Sequence, residues 1–281
     1  MLISNAPCSW GITRAEGNSM GWEQYLDELA AAGFRGTELG PLGYLPTDPH
    51  VLGPELAKRN LVLVGATHVH TFGDPDTDAR LFAEIDTLTS LISALGARHL
   101  VLMDESEWYP PDAEGVLAED GWQHMVKTLD EAQRRIAAQG LTASFHPHLG
   151  TAVEREAQID RLLAETEIGL CLDTGHHSAW GQDALAYLES RFDRLVYVHL
   201  KNVDPAVRDR LIGQEISVAA SYGLGLMSPL DDGAVDIAAV MDALARRGFS
   251  GPVVVEQDLA DDSPPPLVMA RRNMAALGSL V

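Results

Sequence analysis

Cysteines and long apolar runs are scarce in this chain, and both shortages exclude classes of protein. Cys8 and Cys171 are the only cysteines among 281 residues, which excludes a disulfide framework and a thiolate zinc cluster. No apolar run reaches membrane-spanning length, and the N-terminus lacks the charged and apolar segments of a secretory signal. We therefore expect a soluble, cytoplasmic protein that makes no contact with a membrane.

Basic residues are also few. The chain has 20 Lys and Arg against 41 Asp and Glu, a net charge of −21. Nucleic acids are bound through clusters of Lys and Arg, so this balance argues against a nucleic-acid partner. Most of the acidic residues are expected on the solvated outer surface, and the expected partner is a small molecule.

Several common motifs are absent as well. No G-x-G-x-x-G, P-loop, G-x-S-x-G or H-E-x-x-H stands in a supporting context. The isolated pair Gly223 and Gly225 does not make a dinucleotide fingerprint. The chemistry must therefore be sought elsewhere in the chain.

Short apolar runs alternate with amphipathic helical stretches from end to end, a pattern typical of repeated βα units. The runs are rich in Val, Leu and Ile, as expected for strands buried on both faces. They predict eight strands: Leu2–Ala6, Gly36–Leu39, Leu61–Thr67, His99–Met103, Thr142–His146, Gly169–Asp173, Leu195–Lys201 and Pro252–Gln257. We predict an α/β fold, a single (β/α)8 TIM barrel spanning residues 1–281.

Helical spacing predicts the elements between the strands. The predicted helices are Trp22–Ala32, Asp78–Leu95, Leu117–Ala138, Glu154–Glu165, Gln182–Phe192 and Val235–Arg247, with a terminal helix at Leu267–Leu277. Two connections, Asp104–Gly115 and Asn202–Gly233, exceed what a barrel needs. We predict them to be long loops at the face where the strands end, where lids and binding loops are found.

Three polar residues stand at the ends of consecutive predicted strands: Asp173, His199 and Glu256. Taken alone, each residue is best explained as a hydrogen-bonded residue at the end of a strand. Taken together, the three predict a divalent metal site at the barrel mouth. Strand five should supply a fourth ligand, for which His146 is the natural candidate and His148 and Glu154 are rivals. Mixed carboxylate and imidazole donors disfavour Ca²⁺. We expect Mn²⁺ or Co²⁺, with Zn²⁺ or Mg²⁺ as alternatives.

Other side chains are predicted to reach the same mouth. His148, Glu154 and His68 are candidate acid or base groups, and Lys201 is a candidate to stabilise an enolate or bind a substrate oxygen. The candidate substrate-binding residues are Glu38, His70, His176, Trp10 and Trp108. Each has an ordinary structural alternative, such as loop packing for the tryptophans or a salt bridge to Asp258 for Lys201.

Several of these segments also carry a family resemblance. Asn5–Gly11, Glu38–Pro41 with Gly43–Pro46, His146–Thr151, Asp173–His176 and Val198–Asn202 resemble the xylose isomerase-like sugar isomerase/epimerase superfamily, and within it most resemble the myo-inosose-2 dehydratase group. The resemblance implies a divalent metal held by Glu, Asp, His and Glu from strands five to eight. The last three map onto Asp173, His199 and Glu256. The first has no counterpart, because Ser144 or a neighbour stands in its place.

The resemblance implies a metal-dependent hydro-lyase that dehydrates a keto-inositol or a related polyhydroxy ketone through a metal-stabilised enediolate. The missing strand-five Glu argues against the two-glutamate proton shuttle of the related epimerases. Two alternatives remain: a metal-dependent sugar isomerase or epimerase, and a barrel that binds sugar without turnover. Cleavage of abasic DNA conflicts with the net charge. Whether the chain forms a homo-oligomer is left open.

Overall fold

Parallel strands close into a barrel in the computed structural model, which describes residues 1–104 and 117–278. The strands, numbered along the chain, are β1 (Ile3–Asn5), β2 (Gly36–Glu38), β3 (Val62–His70), β4 (His99–Asp104), β5 (Thr142–His146), β6 (Gly169–Asp173), β7 (Leu195–Leu200), β8 (Asn202–Val203), β9 (Met227–Ser228) and β10 (Val253–Val255). The barrel order is β1-β10-β7-β6-β5-β4-β3-β2. Each barrel strand overlaps one of the eight predicted strands, and the predicted (β/α)8 fold is confirmed.

Helices connect the barrel strands. They are α1 (Trp22–Ala31), α2 (Pro49–Lys58), α3 (Asp78–Ala94), α4 (Glu119–Ala138), α5 (Glu156–Glu165), α6 (Thr174–Ser178), α7 (Ala184–Ser190), α8 (Pro205–Ile212), α9 (Val218–Gly223), α10 (Ile237–Arg246) and α11 (Pro266–Leu277). Those predicted from spacing are present with ends shifted by a few residues, whereas α2, α6, α8 and α9 were not predicted. No helix in the described ranges is long and apolar enough to cross a membrane.

The long connection after β7 is not the loop that was predicted. It contains α8 and α9, and its two ends pair as the antiparallel strands β8 and β9. Asp204 caps α8 by accepting hydrogen bonds from the Ala206 and Val207 amides, and Ser217 caps α9. These caps help to stabilise two short helices in this segment, which lies beside the barrel mouth. The other predicted loop, Asp104–Gly115, lies outside the described residues apart from its first residue.

Two of the three apolar clusters in the described residues belong to the barrel, and the third, which includes Leu211 and Leu226, lies under α8 and α9. The larger barrel cluster packs the outer faces of the strands against the surrounding helices, through residues such as Leu26, Leu100 and Leu244. The smaller barrel cluster fills the barrel interior with Ala6, Val101, Cys171, Tyr197 and Val254. Because this interior layer is apolar, the polar residues at the carboxyl ends of the strands are concentrated above it, at the barrel mouth.

Candidate active site

Four buried donors meet at the mouth of the barrel. His146 ends β5, Asp173 ends β6, His199 lies near the end of β7, and Glu256 directly follows β10. Their ligand atoms all lie within 4.8 Å of one another. The parallel register accounts for this, because it aligns Asp173 with His199 and His199 with Val254, two residues before Glu256. The structure thus brings together the four residues predicted as metal ligands.

Unsatisfied atoms in this group fit a cation. Asp173 uses Oδ1 to cap α6, accepting hydrogen bonds from the Gly175 and His176 amides at 2.8 Å each. Its Oδ2 is buried, lies 3.9 Å from both His146 Nε2 and His199 Nδ1, and forms an ion pair with Lys201 at 3.2 Å but makes no hydrogen bond within the described part of the chain. His199 Nδ1 is also without a hydrogen bond there. Leaving a buried polar atom such as His199 Nδ1 without a partner costs about 1–3 kcal/mol, and a divalent cation would satisfy it.

Lys201 places an ammonium group beside the same donors. Its Nζ lies 2.8 Å from Glu256 Oε2 and 3.2 Å from both Asp173 Oδ2 and Asp258 Oδ2. Burial acts to lower the pKa of Lys201, but Asp173, Asp258 and Glu256 hold it well above its ordinary value. In turn, burial acts to raise the pKa of Glu256, but His199 and Lys201 lower it to about 2. The salt bridge to Asp258 is therefore one part of a larger buried charge cluster.

Two histidine rings pack against each other at the edge of this group, with their planes tilted by 43°. The ring centroids of His148 and His176 are 3.9 Å apart. Burial, followed by the charge of Lys201, lowers the pKa of His148 to about 4, so its ring is neutral at neutral pH. His148 Nδ1 lies 3.0 Å from the Leu149 carbonyl oxygen, which can only accept, so Nδ1 carries the proton and Nε2 keeps a free lone pair. The structure thus presents His148 as a neutral base.

The neighbouring His176 is engaged on both ring nitrogens. Its Nε2 accepts from Lys201 Nζ at 2.8 Å, and its Nδ1 faces the Tyr222 hydroxyl at 3.5 Å. Tyr222 belongs to α9 and was not predicted as a site residue, although it lies in the long connection Asn202–Gly233 that was predicted to be a loop at the barrel mouth. Its hydroxyl brings the segment between β7 and β10 into the polar cluster.

A cavity of about 430 Å³ opens above these residues. Its polar lining includes Glu38, His68, His148, Lys201 and Glu256, together with Arg80 and Glu84 from α3. Its apolar lining includes Ile12, Leu42, Val69 and Met103. The volume is in the range of small-molecule sites and accommodates a six-membered polyhydroxylated ring.

His68 and Glu84 form a pair on the wall of the cavity. His68 Nε2 lies 3.1 Å from Glu84 Oε2. The hydrogen bond from His68 is the main cause that lowers the pKa of the Glu84 carboxyl. Glu84 was missed from the sequence because it reads as one more acid on an amphipathic helix.

The predicted site residues His176, Asp173 and His199 lie beneath the cavity without lining it, and three others, Glu154, His70 and Trp10, also do not line it. Glu154 Oε2 accepts hydrogen bonds from the Gly150 amide at 2.7 Å and from Trp180 Nε1 at 2.9 Å. His70 Nε2 lies 2.9 Å from Thr77 Oγ1, and Trp10 Nε1 donates to Glu28 at 2.9 Å. Their positions give no support to roles in catalysis or substrate binding, and the predicted Trp108 lies outside the described residues.

Comparison with known proteins identifies the family and the relatives that this chain resembles. Residues 26–279 match the family model described as the xylose isomerase-like TIM barrel. An inosose dehydratase from Erwinia tasmaniensis is 32% identical over 261 residues, which cover 88% of this chain and 87% of that protein. The rhizopine catabolism protein MocC of Rhizobium meliloti is 31% identical over 268 residues, 92% of this chain and 82% of that protein.

A solved structure shares the fold at low sequence identity. The probable 3-DHS dehydratase AsbF from Bacillus anthracis is 14% identical, with a TM-score of 0.74 and 99% of both chains covered. That likeness concerns the fold alone. With the family model matching most of its length, this chain belongs to the xylose isomerase-like TIM barrel family.

Proposed function

We propose that this protein is a metal-dependent hydro-lyase that removes water from a keto-inositol or a related polyhydroxy ketone. The observation that carries the proposal is the set of four buried donors, His146, Asp173, His199 and Glu256, at the base of a cavity that also holds the lone pair of His148. Relatives named inosose dehydratase, one of them 32% identical over most of both chains, support this choice of substrate class.

The four donors suit a transition-metal ion such as Mn²⁺, Co²⁺ or Zn²⁺, because two are imidazoles and two are carboxylates. A divalent cation held there would act as a Lewis acid, polarising a carbonyl oxygen and offsetting the negative charge that develops when the neighbouring carbon loses a proton. Lys201 supports the same chemistry, because its ammonium group can donate a hydrogen bond to that developing oxyanion.

Dehydration requires that a proton leave the carbon next to the ketone and that the hydroxyl of the following carbon leave as water. His148 suits the first step, because its neutral ring has the Nε2 lone pair free and lines the cavity. His68 suits the second step. It lines the cavity wall with its Nε2 3.1 Å from Glu84 Oε2, and an imidazole held there can pass a proton to the leaving hydroxyl.

The histidine at the end of β5 supports dehydration over epimerisation. An epimerase that uses two carboxylates would need a second acid on the face of the substrate opposite Glu256. His146 occupies the β5 position among the metal donors instead. A single base together with a separate acid suffices for loss of water.

The test is to incubate the purified protein with 2-keto-myo-inositol and Mn²⁺ or Co²⁺ and to follow formation of the dione by its ultraviolet absorbance. We expect dione formation that EDTA abolishes and that added metal restores. Absence of dione would contradict dehydration, and turnover unaffected by EDTA would contradict the metal requirement. Incorporation of solvent deuterium next to the carbonyl without loss of water would instead indicate an epimerase.

The same assay tests the role of His148. His148→Gln is expected to lower kcat by about 10²–10⁴-fold, the usual contribution of a general base. His124→Gln is the matched control, because His124 pairs with Asp78 at 3.2 Å, away from the cavity. Equal rates for the two variants would remove His148 from the mechanism.

A further inference from the structure

Glu38 lies on the side of the His199 ring that faces away from the other metal donors. Its side chain is buried, and three donors surround its carboxylate. Oε1 accepts from the Tyr197 hydroxyl at 2.7 Å and lies 2.9 Å from His199 Nε2. Oε2 accepts from Thr67 Oγ1 at 2.8 Å. Because these donors come from β3 and β7, the carboxylate is held in a fixed orientation between strands.

This contact decides which nitrogen of His199 carries the proton. A carboxylate accepts hydrogen bonds, so the Nε2 that faces Glu38 carries a proton, and Nδ1 is the nitrogen left to bind a cation. That Nδ1 lies 3.5 Å from Glu256 Oε2 and 3.9 Å from Asp173 Oδ2. It has no hydrogen-bond partner within residues 1–104 and 117–278. The ring is thus turned so that Nδ1 points at the remaining donors.

The prediction from the sequence was that Glu38 binds substrate. The structure shows its two oxygens engaged by three protein donors, although part of the residue reaches the cavity lining. Carboxylates in this position behind a metal-binding histidine fix the tautomer and raise the basicity of the ring, and their loss typically costs 10–100-fold in metal affinity.

We propose that Glu38 is a positioning residue, which holds His199 in the tautomer and orientation that bind a divalent cation through Nδ1. The assignment rests on the metal-binding part of the proposed function and does not depend on which ketone is dehydrated. A purely structural role, tying β2 to β7, predicts a loss of stability without a specific loss of metal affinity.

Metal affinity distinguishes these roles. The protein is stripped of metal, and Zn²⁺ and Mn²⁺ dissociation constants are measured by competition with a chromophoric chelator. Glu38→Gln keeps the shape of the side chain and removes its charge, and it is expected to weaken binding of both ions by about 10–100-fold. Asp78→Asn is the matched control, since it alters a carboxylate–histidine pair outside the cavity, and it is expected to leave both constants within twofold of the wild type.

A second measurement uses the wild-type protein, so the proposal can still be tested if Glu38→Gln fails to fold. Nitrogen-15 NMR of the histidine-labelled, Zn²⁺-loaded wild-type protein reports the state of each ring nitrogen. We expect His199 to show Nε2 bonded to hydrogen and Nδ1 shifted by the metal. The opposite assignment would overturn the proposal.

Two further results would also overturn it: equal affinities for the wild type and a folded Glu38→Gln variant, or a wild-type protein with no measurable affinity for either ion. Failure of the proposed function has a different signature. A protein that binds Zn²⁺ in the expected way but does not dehydrate 2-keto-myo-inositol would contradict that function and leave the assignment of Glu38 intact.

Discussion

Lys201 is the residue on which the charge balance of the site depends. Its side chain is almost fully buried, and its Nζ contacts the carboxylates of Asp173, Glu256 and Asp258. Two of these three acids, Asp173 and Glu256, are also proposed metal donors. The ammonium group therefore lowers the repulsion between acids that would otherwise face one another in a low-dielectric interior.

Replacing Lys201 is expected to destabilise the protein, most strongly without metal. In EDTA, Lys201→Met should lower the free energy of unfolding by about 3–5 kcal/mol, because it leaves buried acids without a partner. Urea denaturation of the wild type and the variant measures this loss. Lys127→Met, at an exposed lysine of α4, is the control and should change stability by less than about 0.5 kcal/mol. A Lys201→Met variant as stable as this control would show that the cluster needs no cation.

The clustering of the proposed metal donors could be predicted from single residues, whereas the residues that surround them could not. Asp173, His199 and Glu256 follow successive apolar runs, so strand order alone places them side by side. The role of Glu38 depends on closure of the barrel, which brings β2 across from β7 in space although His199 is 161 residues away in the chain. Tyr222 and Glu84 reach the site from helices, where spacing predicts a face of the helix and not the partner opposite it.

At the scale of elements, the segment between β5 and α5 carries His148. Contacts made by Glu154, outside the cavity, stabilise this segment. Glu154 Oε2 accepts hydrogen bonds from the Gly150 amide and from Trp180 Nε1, and the guanidinium carbon of Arg155 lies 4.2 Å from the centre of the Trp180 ring. These contacts join the segment to the end of α6. Glu154, predicted as a catalytic acid or base, is placed where it orders the segment that presents His148.

If Glu154 only stabilises this segment, substitutions of Glu154 and of its partner Trp180 should have similar effects on stability and activity. Glu154→Gln and Trp180→Phe each weaken the same Glu154–Trp180 hydrogen bond, so both should cost about 1 kcal/mol of stability and lower kcat/KM by less than tenfold. The measurements are urea denaturation and steady-state dehydration kinetics. If Glu154 were catalytic, Glu154→Gln alone would lose about 10²-fold or more in kcat, and Trp180→Phe would remain active.

The helices α2 and α8 could not be predicted from the periodic spacing of apolar residues. The helix α2 contains the Gly53-Pro54 pair, which interrupts the helical pattern, yet Leu52 and Leu56 are buried and hold it against the barrel. Its N-terminus has a capping residue that can be recognised in the sequence. Asp48 precedes Pro49 and accepts a hydrogen bond from the His50 amide at 2.8 Å, and Asp204 before Pro205 begins α8 in the same way. Capping signals, more than apolar spacing, would have predicted both helices.

At the scale of the whole molecule, the barrel could be predicted because its rule is simple: eight apolar runs separated by helices form one closed parallel sheet. The same architecture buries several histidines that the chemistry of the site does not use. His70 and His177 are both almost fully buried. Burial lowers the pKa of each to about 4, with His68 a further cause at His70.

These buried histidines make the fold sensitive to acid. In the unfolded chain a histidine binds a proton near pH 6.5, whereas His70 and His177 do so in the folded protein only near pH 4. Between these values the unfolded state binds more protons, so stability is highest above pH 6.5 and falls as the pH drops toward 4. Each group contributes at most about 3 kcal/mol to this loss.

His70→Gln isolates one such contribution. Glutamine does not titrate and can retain a hydrogen bond to Thr77, so the variant should lose about 1–3 kcal/mol less than the wild type between pH 7 and pH 4.5. Urea denaturation at pH 7, 5.5 and 4.5 measures the difference. His50→Gln, at an exposed histidine of α2, should follow the wild type at all three pH values. A parallel loss in His70→Gln and the wild type would show that His70 is protonated equally easily in the folded and unfolded chains.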